Sequence, residues 1–137
     1  GTIYGFSNGI RFHTAVNKFC FQSSMNQPLT VWKTALHQKR PYLNLNDFNR
    51  LIIHIIQNKV KNNEIYNAVS KNMTVNDILK NIKKIHKVKI KFVNHPIMNQ
   101  MSYEVSSKKI RDTNFIFYPN ILSSIKKTLK KLKNIKN

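Results

Sequence analysis

The sequence predicts an α/β fold of short strands alternating with amphipathic helices, and three observations carry that expectation. Val88-Lys89-Ile90-Lys91-Phe92-Val93 places apolar and cationic residues on opposite faces with period two, the pattern of a half-exposed strand. Phe12, Ala15, Val16, Phe19 and Cys20 recur at the spacing of a helix with one buried face. From Leu29 to Ile56 the chain reads strand, loop, strand, helix, an order that packs helices on sheets.

In chain order, Thr2 to Tyr4 reads as a strand end, and Gly5, Asn8 and Gly9 supply the backbone freedom of a loop. Cys20 lies on the apolar stripe of the next helix with no acid–base partner identifiable by spacing, so a buried structural thiol is expected. Asn17 lies beside that stripe and reads as an exposed polar residue. After Asn26 and Pro28, Leu29-Thr30-Val31-Trp32 is short and β-branched enough for a strand.

The stretch from His37 to Asp47 draws the most attention. Pro41 fixes its own φ and drives Arg40 toward extended backbone, so the Arg40 guanidinium is expected at the mouth of a strand formed by Tyr42, Leu43, Asn44 and Leu45. An Arg fork so placed suits a phosphate or carboxylate; the plain alternative is a solvated loop cation. Asn46 or Asp47 is expected to cap the helix behind it, with Phe48, Leu51, Ile52, Ile55 and Ile56 on its buried face.

Glu64 to Val69 reads as a further strand. Thr74 with Asp77 three residues on forms a capping-box variant for a helix with Val75, Ile78, Leu79 and Ile82 in its core stripe. His95-Pro96 breaks the Val88 strand, and a polar, Met-rich loop from Met98 leads to Ser102-Tyr103-Glu104-Val105-Ser106. Ser106 or Ser107 is expected to cap a short turn through Ile110, and Phe115-Ile116-Phe117 is the last apolar patch. Ile121, Leu122, Ile125, Leu129 and Leu132 then mark a closing helix that packs on its own domain, with lysines from Lys126 to Lys136 on its other side.

With 137 residues the chain is expected to be one unit or part of one. Lys and Arg number 24 against 5 acidic residues, a net charge of +19 that would ordinarily suggest nucleic acid or an anionic membrane. Asn and Ile are in excess together with Lys and the lysines are scattered, so general compositional drift is the preferred explanation and neither partner is expected. A single cysteine excludes an internal disulfide framework. No run approaches the length of a membrane span, the first residues do not resemble a signal peptide, and a cytoplasmic location is expected. The chain opens in a strand without an initiating Met, so a piece of something longer is expected.

A complete catalytic apparatus is not evident. Asp47 and Asp77 are explained as helix-start residues, Glu64, Glu104 and Asp112 are isolated, and the five histidines lack zinc-ligand spacing. With only three glycines there is no phosphate-binding Gly-rich loop.

Taken together and in order, these stretches resemble the C-terminal, substrate-binding part of the NAD-dependent epimerase/dehydratase family, the extended short-chain dehydrogenases/reductases acting on sugar nucleotides. Thr2-Ile3-Tyr4-Gly5 is similar to the Asn-Val-Tyr-Gly segment that follows the family's catalytic Tyr and Lys, and Arg11 to Gln22 resembles the helix whose Asn approaches the pyrophosphate. Pro28 to Trp32 resembles the strand lining the nucleobase pocket, and Lys39 to Asp47 the family's Arg-(Pro/Asp)-(Phe/Tyr)-(Ile/Val)-x-Val-x-Asp signature. Glu64 to Ala68 is similar to its Tyr-Asn-Val-Gly strand, Thr74 to Lys83 to the helix after it, and Ser102 to Lys108 to the Tyr-containing region that closes the site.

The resemblance implies that Asn17, Leu29, Val31, Arg40 and Tyr103 bind a nucleoside diphosphate sugar, Arg40 at its diphosphate, while Thr2 and Tyr4 approach the cofactor, NAD or NADP. It implies that residues 1–10 end a Rossmann-type core and 11–137 form mainly the substrate subdomain. The catalytic Tyr and Lys and the cofactor loop are expected upstream, the piece alone is expected to be inactive, and the full-length protein is expected to be a homodimer. Two departures stand out: Thr2 replaces the usual Asn, and the second Arg that often meets the diphosphate before Tyr103 is not evident, with Pro96 and Asn99 in its neighbourhood. The alternative is a non-enzymatic basic module that binds nucleic acid or an anionic membrane through the Lys-rich C-terminal helix.

Overall fold

The computed structural model describes residues 1–61, 63–94 and 101–135. Strands and helices alternate as β1 (Thr2–Tyr4), α1 (Ala15–Ser24), β2 (Leu29–Trp32), a 3₁₀ turn (Lys33–Ala35), β3 (Lys39–Asn44), α2 (Leu45–Gln57), β4 (Lys71–Thr74), α3 (Val75–Lys83), β5 (Ile90–Val93), α4 (Lys108–Arg111) and α5 (Ile121–Ile135). Two small sheets result. In the first, β3 lies between β1, parallel to it, and β4, antiparallel; in the second, β2 and β5 pair in parallel. β1 joins β3 only from Tyr42 onward, so Pro41 precedes the doubly paired part of its strand, where a missing N–H is tolerated.

One core forms where α1, α3 and α5 meet the strands, around Tyr4, Phe19, Leu29, Val31, Ile78, Ile82, Ile125 and Leu129. A second holds Leu43, Leu51, Val60, Ile110, Phe115 and Phe117. The closing-helix expectation for α5 holds: its apolar side packs on α1 and α3, and the lysines from Lys126 to Lys133 are exposed. α1 ends in a Schellman arrangement, with Asn26 at φ 56°, Gln27 N–H donating to Gln22 O (2.8 Å) and Asn26 N–H to Ser23 O (3.2 Å), before Pro28 carries the chain into β2. The Thr74–Asp77 capping box is present in full.

Several expectations are corrected. Glu64 to Val69 is not a strand: Ile65 is 87 % exposed, and the Ser107 hydroxyl both accepts from Val69 N–H (3.0 Å) and donates to Val69 O (2.9 Å) where a neighbouring strand would pair. The strand that pairs with β3 starts later, at Lys71. The cap of α2 is Asn44, whose side chain accepts from Asn46 N–H (2.8 Å), and not Asn46 or Asp47. Ile52 and Ile56, expected on the buried face of α2, are exposed because α2 is covered only along Phe48, Leu51 and Ile55. Helix α1 begins at Ala15, three residues after Phe12, and β5 at Ile90. Ser107 takes the N-cap position of α4 without a capping bond, while Ser106 Oγ accepts from Lys108 N–H. The break at His95-Pro96, the start of the loop at Met98, the neighbourhood of Pro96 and Asn99, and Lys136 lie outside the described residues.

Candidate functional site

A cleft of about 760 Å³ opens between α1, β2, β3 and the segment through Tyr103. That volume falls within the range of small-molecule sites. β3 brings Arg40 and Tyr42 to it, β2 brings Thr30, Val31 and Trp32, and the start of α1 brings Thr14, Ala15 and Lys18, with His13 at the rim. Among the described residues no Asp or Glu lines it.

Arg40 is partly buried and held by oxygens: Nη1 donates to Lys39 O (2.9 Å) and to Met101 O, and Nη2 to Gln38 Oε1 (3.1 Å). Its guanidinium lies over the Tyr103 ring, 5.0 Å from the centroid. Tyr103 is fixed by stitches between its own segment and the sheet. Its N–H donates to Lys39 O (3.2 Å), Ser102 Oγ accepts from Lys39 N–H (2.9 Å), and Asn72 exchanges two side-chain bonds with the Val105 backbone (3.1 Å each). Lys39 Nζ pairs with Glu104 at 2.7 Å, which raises the Lys39 pKa. The Tyr42 hydroxyl titrates above its ordinary range because burial disfavours the phenolate, a shift that the Arg40 charge opposes. At the head of α1, the Thr14 hydroxyl oxygen is buried and has no hydrogen-bond partner among the described residues.

The residues singled out from sequence separate into two groups. Thr2, Val31, Arg40 and Tyr103 line the cleft, and Arg40 and Tyr103 are in contact. Asn17, Leu29 and Tyr4 do not line it. Leu29 and Tyr4 are core residues, Tyr4 packing edge-on to Tyr42 at 6.3 Å. Asn17 is buried, contrary to its expected exposure: Oδ1 accepts from Gly5 N–H (3.1 Å) and Nδ2 donates to Arg11 O (3.1 Å). The demand comes from Gly5, which follows the last residue of β1 at a φ of +130° and whose missing Cβ leaves room for Leu45. Sequence reasoning missed His13, Lys18, Gln38 and Trp32 as cleft residues. Lys18, three residues past the Ala15 of the apolar stripe, carried a polar-face signal that pointed only to solvent.

Of the two residues that the resemblance assigns to a cofactor, Tyr4 is 1 % exposed and Thr2 lines the cleft. Among the described residues no group of three His, Cys, Asp or Glu side chains is placed to hold a metal ion.

No protein-family model matches the chain, and no curated protein does. Solved structures do. UDP-glucuronic acid 4-epimerase from Bacillus cereus, in complex with UDP-glucuronic acid and NAD, superimposes with a TM-score of 0.81 at 18 % identity, over 98 % of this chain and 43 % of that one. UDP-glucose 4-epimerase from Thermotoga maritima, with UDP-glucose, matches with a TM-score of 0.82 at 14 % identity, over 99 % and 45 %. RMD from Pseudomonas aeruginosa, complexed with NADPH, matches at 0.81 and 15 % identity, over 98 % and 46 %. The chain spans less than half the length of these structures. At such identities the match establishes architecture: the chain has the α/β fold of one part of the NAD-dependent epimerase/dehydratase, or extended short-chain dehydrogenase/reductase, structures.

Proposed function

We propose that the chain is the substrate-binding half of an NAD(P)-dependent sugar-nucleotide epimerase or dehydratase, and that it grips a nucleoside diphosphate sugar in the Arg40 cleft. The observation that carries this reading is Arg40 itself, oriented by Gln38 and two backbone carbonyls over the Tyr103 ring in a cleft lined by no acid among the described residues. A guanidinium held in place forfeits less side-chain entropy on binding than a free one, and its fork matches the oxygens of a diphosphate. Trp32 offers apolar surface for a nucleobase, while Leu29 and Val31 of the same strand are buried in the core, and Thr2 would stand at the cofactor side.

NAD or NADP would supply hydride chemistry, held mainly by a half that also carries the catalytic Tyr and Lys. The piece described here is then inactive alone, and the whole protein works as a homodimer with no nucleic acid or membrane partner. The test is calorimetry with UDP-glucose on the full-length protein. Arg40→Ala should weaken binding by about 1.5–3 kcal/mol, the worth of a charged hydrogen bond. An affinity unchanged by that substitution would remove Arg40 from the site.

A further inference from the structure

The resemblance to sugar-nucleotide enzymes carries an Asn on helix α1 as a pyrophosphate contact, and in this chain that Asn is occupied elsewhere. Asn17 is buried, its oxygen bonded to Gly5 N–H and its amide to Arg11 O. The next residue, Lys18, lines the cleft instead. It is only partly exposed, and its ammonium makes no hydrogen bond or ion pair with any described residue. Lys18 therefore brings a positive charge to the α1 wall of the cleft that no described residue neutralises.

Its surroundings favour an anion from outside. Among the described residues no carboxylate lines the cleft, and the first turn of α1 has no acidic side chain, so the positive end of that ten-residue helix is not compensated from within. The N-cap Thr14 makes no capping bond, and its buried hydroxyl oxygen has no partner among the described residues. Arg40 reaches the same cleft from β3.

We propose that Lys18 is the second cation of the substrate site and meets the diphosphate from the α1 wall while Arg40 meets it from β3. This rests on the sugar-nucleotide reading and assigns to Lys18 the charge that a second Arg would otherwise bring. Two cations on separate elements match the two negative charges of a diphosphate diester and fix its direction along the cleft.

The test titrates UDP-glucose and, separately, inorganic pyrophosphate into the full-length protein and its Lys18→Met and Lys18→Arg variants, with thermal melting to verify folding. Lys18→Met should bind both ligands about tenfold more weakly, the loss of one charge-assisted contact, and Lys18→Arg should keep most of the affinity. Equal affinity of Lys18→Met and wild type for both ligands overturns the proposal. Should the wild type bind pyrophosphate but not UDP-glucose, the sugar-nucleotide reading falls while the pyrophosphate series still decides Lys18. Binding of neither ligand overturns both.

Discussion

Asp47 illustrates what a single buried carboxylate does in this fold. Its two oxygens accept from Ser70 Oγ (2.6 Å), Arg50 Nη1 (2.9 Å) and Tyr118 N–H (3.0 Å), and Ser70 Oγ in turn accepts from Asn44 N–H (2.9 Å). One side chain thus ties the end of β3, the start of α2 and the segment before α5. Arg50 completes the cluster by stacking on Tyr118 at 4.4 Å and donating to Ile116 O. Asp47→Ala should therefore destabilise the protein by about 3 kcal/mol, the cost of leaving a buried hydroxyl and a backbone N–H unsatisfied, measured as a lowered urea midpoint. A change below about 0.5 kcal/mol, the scale of an ordinary surface substitution, would contradict it. The extended backbone at Arg40 was legible in the sequence because Pro41 restricts it locally, although the strand runs from Lys39 to Asn44 and takes in Arg40, where Tyr42 to Leu45 was expected. The partners of Asp47 were not, since they lie 23 and 71 residues away and no local pattern encodes them. Cys20 was legible for the opposite reason: its place on an apolar stripe is a local signal, and burial pushes the thiol up to about 12.

Elements were readable where their ends carry their own chemistry. β2 occupies the four residues expected of it, and Thr74 and Asp77 announce α3. Thr74→Ala should cost about 1 kcal/mol of stability, the usual worth of an N-cap, in urea denaturation at neutral pH. Hydrogen bonds from the Thr74 backbone N–H and hydroxyl hold the Asp77 pKa below its ordinary value. A depressed folded-state pKa means that the contribution of Asp77 is complete above the ordinary carboxylate range and is lost as pH falls through its lowered value. The gap between wild type and Thr74→Ala should accordingly narrow on acidification; a gap that widens would contradict the capping account. The strand expected at Glu64 to Val69 failed because β-propensity does not report who pairs with whom: Ser107 captured the Val69 backbone, and the pairing with β3 moved to Lys71–Thr74.

At the scale of the molecule, the surplus of cations and the exposed isoleucines have different meanings. The lysines of α5 face solvent because the helix spends its apolar side on α1 and α3, so the helix serves the core whatever its charges meet. No described helix is long and apolar enough to cross a membrane. Ile52, Ile53 and Ile56 of α2, the last 72 % exposed, together with Ile3 on β1, form apolar surface that parallel sheets normally keep covered. That surface accords with a chain covering 43–46 % of the structures it matches. The fold class followed from periodicity, whereas the cleft needed the third dimension: Lys18 and Trp32 lie outside the stretch that holds Arg40 and reach its cleft only when α1, β2 and β3 are assembled. The central claim is that this cleft holds a sugar nucleotide, and a crystal structure of the full-length protein with UDP-glucose tests it most directly. The account predicts the diphosphate in the cleft with an oxygen about 2.7–2.9 Å from the Arg40 guanidinium. A diphosphate seated elsewhere, with no oxygen within hydrogen-bond distance of the Arg40 guanidinium, would contradict it.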